Sequence, residues 1–179
     1  MRLPHAAPAA IRPLAVLALL AVLAPARPAW ADSPAEQLAG LFVQGCVAHA
    51  GSLSGLRQWA AAKGLKSVPA QAAPAFLNKE AGIAYDASDP GGKFVLISAD
   101  GGGCAAIAQH ADRAVLASTL AQFLARADLT LTQISEEDDH LAPGVRHRVY
   151  RLRVAGRDWQ IVMSTTRDSG QAMLSLVLP

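Results

Sequence analysis

The 179 residues contain two cysteines, Cys46 and Cys104, and no other feature constrains the fold as tightly as whether they pair. A bridge would tie the first third of the chain to a point 58 residues further on. The answer depends on compartment, and the N-terminus supplies it. A basic start (Met1, Arg2, Arg12) leads into the apolar run "LAVLALLAVLA", Leu14 to Ala24, followed by "PARPAWADS". Ala29 and Ala31 occupy the small-residue positions of an A-x-A cleavage site, so residues 1–31 are expected to be a signal peptide, cleaved between Ala31 and Asp32. The run is far shorter than the roughly 20 residues that span a bilayer as a helix. No cysteine lies near its end to carry a lipid, and there is no twin-arginine pair, so the general secretory route is expected. Export places the product in the periplasm or outside the cell, where thiols pair. A Cys46–Cys104 disulfide follows as the expectation, and closing a loop of that length would contribute roughly 4 kcal/mol in the chain-entropy account.

Residues 32–179 then form one domain of ordinary size. Loss of Arg2, Arg12 and Arg27, with no acid, takes the net charge of +2 below zero. A near-neutral chain has no electrostatic reason to bind nucleic acid.

The mature segment opens with "SPAEQLAGLFVQGCVAHAG". Ser33 as cap, Pro34 in the first turn and Glu36 completing a capping box predict a helix. Leu38, Leu41, Phe42, Gly45, Cys46 and His49 recur at helical spacing, with Gly51 as the stop. "SGLRQWAAAKG" predicts a second helix capped by Ser54 and ended by Gly64, and "PAQAAPAFLN" a short third one restarted at Pro74. From Gly82 the character changes to strands, "GIAYD", "KFVLIS" and "CAAIAQ", separated by turn residues. "ADRAVLASTLAQFLARA" interrupts them with a helix capped by Asp112 and striped by Leu116, Leu120, Phe123 and Leu124. Strands resume at "LTLTQIS". "RHRVYRLRVAGRDWQIVMSTT" reads as a hairpin around Ala155 to Arg157, and "QAMLSLVLP" as the last strand. A Gly156-Arg157 loop would oppose Val154 to Trp159. An Ala155-Gly156 loop shifts the pairing by two and keeps both faces. Early helices and late strands argue for an α+β fold: N-terminal helices packed on an antiparallel β-sheet, with one further helix inserted between strands.

Four stretches carry candidate chemistry. "SADGGGC" lacks the lysine and the immediately following helix of a phosphate cradle, and reads as a turn in which Asp100, Gly101, Gly102 and Gly103 supply the conformations that side chains disfavour. Small residues at Gly103 and Ala105 would let the first helix approach through Cys46. A thiol-dependent hydrolase is the sharper alternative, with Cys46 or Cys104 free and His49, His110 or His147 as its base. "SEEDDH" has contiguous acids without the spacing of a calcium loop, so it reads as a solvated loop and no metal is expected. In "RHRVYRLR", His147, Arg151 and Arg153 fall on the outward face of a strand and are the candidate surface for an acidic partner. No G-x-S-x-G or H-E-x-x-H occurs, so no catalytic residue and no cofactor is assigned.

"FVQGC", "GLRQWAAAKGL", "SADGGGC", "RHRVYR" and the closing "QAML" together resemble a group of small exported proteins and lipoproteins of proteobacteria with no assigned activity. The resemblance implies export and a two-cysteine pattern. The absence of a lipidation cysteine here implies a soluble periplasmic or secreted form. Taken together, these readings point to a non-enzymatic protein that binds a protein or envelope component, with no transmembrane segment in the mature chain. The alternatives are the thiol hydrolase and a periplasmic inhibitor or immunity protein.

Overall fold

The computed structural model describes residues 33–179, which belong to one compact unit. The expected leader and its cleavage point lie outside the described residues. Four helices and eight strands follow one another in the order α1 (Pro34–Phe42), a π-turn (Val43–Val47), α2 (Leu53–Ala62), β1 (Lys66–Ser67), α3 (Pro74–Leu77), β2 (Gly82–Asp86), β3 (Phe94–Ala99), β4 (Cys104–Ala108), α4 (Arg113–Arg126), β5 (Leu131–Asp138), β6 (Val145–Val154), β7 (Arg157–Thr166) and β8 (Ala172–Val177). Two antiparallel meanders, β1–β4 and β5–β8, meet where β4 pairs with β8, giving one sheet of order β1-β2-β3-β4-β8-β7-β6-β5. The expected α+β class and antiparallel sheet are what the chain forms. Among the described residues no helix is long and apolar enough to cross a membrane.

The first helix starts as its capping box dictates. Glu36 N–H donates to Ser33 Oγ (3.3 Å) and Ser33 N–H to Glu36 Oε2 (2.7 Å). It does not continue as an α-helix to Gly51. From Val43 it widens into a π-turn, in which Ala48 N–H reaches five residues back to Val43 (3.0 Å). The extra residue per turn rotates the following side chains. Cys46 and Val47 are buried, while His49 is only half-buried. Gly45 is what allows this packing, since a Cβ there would lie 3.2 Å from the Trp59 ring and 3.3 Å from Leu96 Cδ1. The close approach expected of Gly103 therefore falls to Gly45. A Cβ on Gly103 would meet only Ala99, at 3.8 Å. Cys46 and Cys104 form the disulfide, Cα to Cα 5.5 Å, pinning the π-turn to β4.

The second helix begins at Leu53, and its cap is Ser52, not Ser54: Gly55 N–H donates to Ser52 Oγ at 3.2 Å. Helix α4 is capped by Asp112 as expected, through Val115 N–H at 2.8 Å, and buries Leu116, Leu120 and Leu124 completely. Each such side chain contributes about 1.5–3 kcal/mol of burial. Helices α1 and α4 pack together over one face of the sheet, which presents Leu96, Cys104, Ala106, Leu152, Ile161, Met163, Leu174 and Leu176 to them. Only α3, beside β2 and β3, stands apart from that layer.

The β6–β7 hairpin turns through Ala155 and Gly156, with φ +49° and +78°. The sign of φ at both positions is that of a two-residue type I′ loop. Val154 therefore pairs with Arg157 and Leu152 with Trp159, replacing the register in which Val154 opposes Trp159. Strand β5 extends through Asp138, so most of "SEEDDH" is strand and not a solvated loop. The pairing explains this, because Glu136 lies opposite Arg148, Glu137 opposite His147 and Asp138 opposite Arg146. Opposite charges across a strand pair offset the poor strand propensity of acids.

Candidate functional site

The glycine turn of "SADGGGC" is architectural. Ala99 N–H bonds to Gly103 O (2.9 Å), leaving a three-residue loop in which Gly102 alone takes a left-handed conformation, φ +90°. Gly101 and Gly103 do not, and Asp100 has another task. Its carboxylate pairs with Arg57 of α2, which also donates through Nε to Ser98 Oγ (3.2 Å) and through Nη2 to Ser98 O (3.4 Å). Ser98 is fully buried, so Arg57 satisfies it and ties α2 to the turn. Glu80 and Asp100 both line the hollow beside the glycines, which makes it a poor cradle for an anion. Both sulfurs are in the bridge, so no thiol is left for a hydrolase, and the His49 ring lies tilted against Trp59, centroids 6.1 Å apart.

Titratable groups gather at the far end of β5, β6 and β7. On the helix side, Arg148 donates to Glu136 Oε2 through Nε (3.0 Å) and Nη2 (2.9 Å). Arg146 clasps Asp138 through Nε (2.7 Å) and Nη2 (3.1 Å), and Arg113 of α4 stands 3.8 Å from Glu136. The hydrogen bond from Arg148 holds the Glu136 carboxyl below its ordinary range, and that from Arg146 does the same for Asp138. A cleft of about 330 Å³ lies here, lined by Arg113, Arg146 and Arg167. Two of these cations are matched, Arg146 by two bonds to Asp138 and Arg113 by Glu136, and Asp112 caps the N-terminus of α4. The cluster works as an ion-pair ladder across the sheet end.

On the opposite face, His147 Nδ1 lies 2.8 Å from Ser164 Oγ and His147 Nε2 2.9 Å from Asp139 Oδ2. The His147 hydrogen bond, then those from the Leu141 and Ala142 amides, keep Asp139 ionised below its ordinary range. The order Ser–His–Asp is that of a nucleophile relay, and sequence reading missed it because the three come from separate strands and a loop. Nucleophilic catalysis also needs donors aimed at the developing oxyanion. Ser164 sits in an internal strand paired on both sides, with His147 and with Met173, so the sheet ladders take up its backbone groups. The relay therefore fastens the β5–β6 loop to the sheet. Of the surface residues read from sequence, Arg151 and Arg153 are exposed on this face and His147 is drawn into the relay. Arg153 also stands 3.8 Å from Asp158. Among the described residues no three His, Cys, Asp or Glu side chains gather as metal ligands.

The same face carries a site that no short motif announces. The register places Lys66, Asp86, Val95, Ile107, Met173, Ser164, His147 and Glu137 side by side, one from each strand. The apolar middle of this row opens toward α3. There, Val68, Pro69, Phe76, Val95 and Ile107 line a mainly apolar cleft of about 380 Å³, with Lys93, Gln109 and Gln171 also in its wall. Phe76, Val95 and Ile107 are each half-buried, with apolar surface still facing the cleft. No family model, curated protein or solved structure matches the chain.

Proposed function

We propose that this chain is an exported, non-enzymatic binding protein of the periplasm that receives an apolar group of an envelope component in the cleft between α3 and the outer face of the sheet. The observation that carries this reading is the cleft itself. Its volume of about 380 Å³ falls within the range of ligand sites, and its lining, apolar with a few polar groups, has their chemistry. The helical layer fills the other face of the sheet, so the cleft is not a gap in the core. Two further features support the reading: the disulfide fits an oxidising compartment, and the leader pattern and the resemblance to small exported proteobacterial proteins fit the same destination.

The test is binding of an apolar naphthylamine fluorophore to the exported protein. Saturable enhancement that is lost in Ile107→Trp, a variant that fills the cleft from its sheet side, is the expected result. Enhancement unchanged in that variant, or no enhancement at all, would overturn the assignment.

A further inference from the structure

Residues 69–80, which carry α3, lie beside β2 and β3 as a segment bonded to itself. Backbone bonds anchor it at its two ends: Val68 N–H donates to Ala84 O (2.8 Å) and Asp100 N–H to Ala81 O (2.8 Å). Between those anchors, and among the described residues, its backbone bonds stay inside the segment. Ala72 and Ala73 N–H donate to Pro69 O, Phe76 and Leu77 N–H to Ala73 O, and Glu80 N–H to Leu77 O. Helix α3 buries none of its residues, and Phe76 and Leu77 are half-buried. A segment held down by so few buried contacts opens locally at low cost. The chain leaves α3 through two successive left-handed residues, Asn78 (φ +45°) and Lys79 (φ +69°). Asparagine tolerates that conformation, whereas lysine adopts it at a cost, and such strain gathers at moving parts.

What the segment covers is apolar. Ala84 and Ile97 stand opposite one another and alternate with Tyr85 and Leu96 of the core, so they point to the outer face. Both are nonetheless buried, 2% and 9% exposed, and α3 is the element packed there on β2 and β3. The neighbouring row on the same face is Val95 and Ile107, the floor of the cleft, with Phe76 in its wall.

We infer that residues 69–80 are a lid on the cleft, swinging between Val68 and the Asn78–Lys79 pair. Lifted, it joins the Ala84–Ile97 patch to the Val95–Ile107 floor and admits an apolar group larger than the closed cleft holds. This rests on the cleft being the binding site and adds how that site opens.

The experiment compares thiol labelling of Ala84→Cys, under the lid, with that of Ala106→Cys, which is buried on the helix side. Both native sulfurs are in the bridge, so the new thiol alone reacts. In native buffer Ala84→Cys should label and Ala106→Cys should not. Adding Leu77→Ala, which loosens the lid from outside the cleft lining, should speed labelling of Ala84→Cys about fivefold. Equal labelling of the two thiols, or labelling indifferent to Leu77→Ala, would mean that the segment opens only when the whole domain unfolds, and the lid would fall. Binding of the naphthylamine fluorophore supplies the link to the site. Its observed rate should level off with rising concentration, at the rate of lid opening, and Leu77→Ala should raise that plateau. A rate that climbs linearly and ignores Leu77→Ala would overturn the gating while leaving the cleft in place. Fluorophore binding that ignores Ile107→Trp would instead remove the cleft, and the lid's function with it.

Discussion

Replacing both cysteines, Cys46→Ala with Cys104→Ala, frees a loop of 58 residues in the unfolded chain. The loop-closure expression assigns that freedom about 4 kcal/mol. Some packing is lost as well, since Cys46 is 1% and Cys104 7% exposed, and each alanine leaves the space of a sulfur behind. A domain of this size has about 5–15 kcal/mol in all, so the change removes a quarter or more of its stability. Urea unfolding of the oxidised protein and the variant measures it. The midpoint should fall and the slope should rise, because an uncrosslinked unfolded chain exposes more surface. The corresponding drop in Tm is about 8–16 °C. A loss below about 1 kcal/mol with an unchanged slope would refute the reasoning, and would mean that the π-turn is held to β4 by packing alone.

Three further outcomes follow from named contacts. Gly45→Val should cost at least about 2 kcal/mol, because the added branch enters space held by Trp59 and Leu96, and thermal unfolding will show it. Glu136, Asp138 and Asp139 have carboxyls held below their ordinary range, so they add stability above the unfolded pKa near 4, which is lost as pH falls through the lowered folded values. The urea midpoint should therefore decline from pH 5 downward, and Glu136→Gln should make that decline shallower. Ser164 should give no adduct with a fluorophosphonate, and Ser164→Ala should cost about 1 kcal/mol, the worth of one hydrogen bond. An adduct at Ser164 detected by mass would overturn its structural assignment.

What the sequence disclosed was local. Ser33, Pro34 and Glu36 specify the start of α1, Asp112 and the Leu116–Leu120–Leu124 stripe specify α4, and the alternation of Tyr150, Leu152, Trp159, Ile161 and Met163 specifies both faces of the hairpin in either register. Where the reading failed, a tertiary contact overrides a local preference. The π-turn exists because Gly45 admits Trp59 and Leu96, which helical periodicity does not express. The acids of β5 become strand because Arg148, 12 residues on, stands opposite Glu136, and Arg146, 8 residues on, opposite Asp138. Ser52 competes with Ser54 for one cap, and pattern alone does not separate two serines so close together. The cleft was the least legible feature of all. Its row of residues comes from β3, β4 and β8, and β8 joins the other two only because the meanders meet at β4.

The most direct test of the binding assignment is amide chemical-shift mapping of the protein with the naphthylamine fluorophore. The account predicts shifts concentrated at Val68, Phe76, Val95 and Ile107, with the amides of Leu38, Leu120 and Leu124 unmoved. Shifts centred on Arg113, Arg146 and Arg167, or spread through the helical layer, would contradict it.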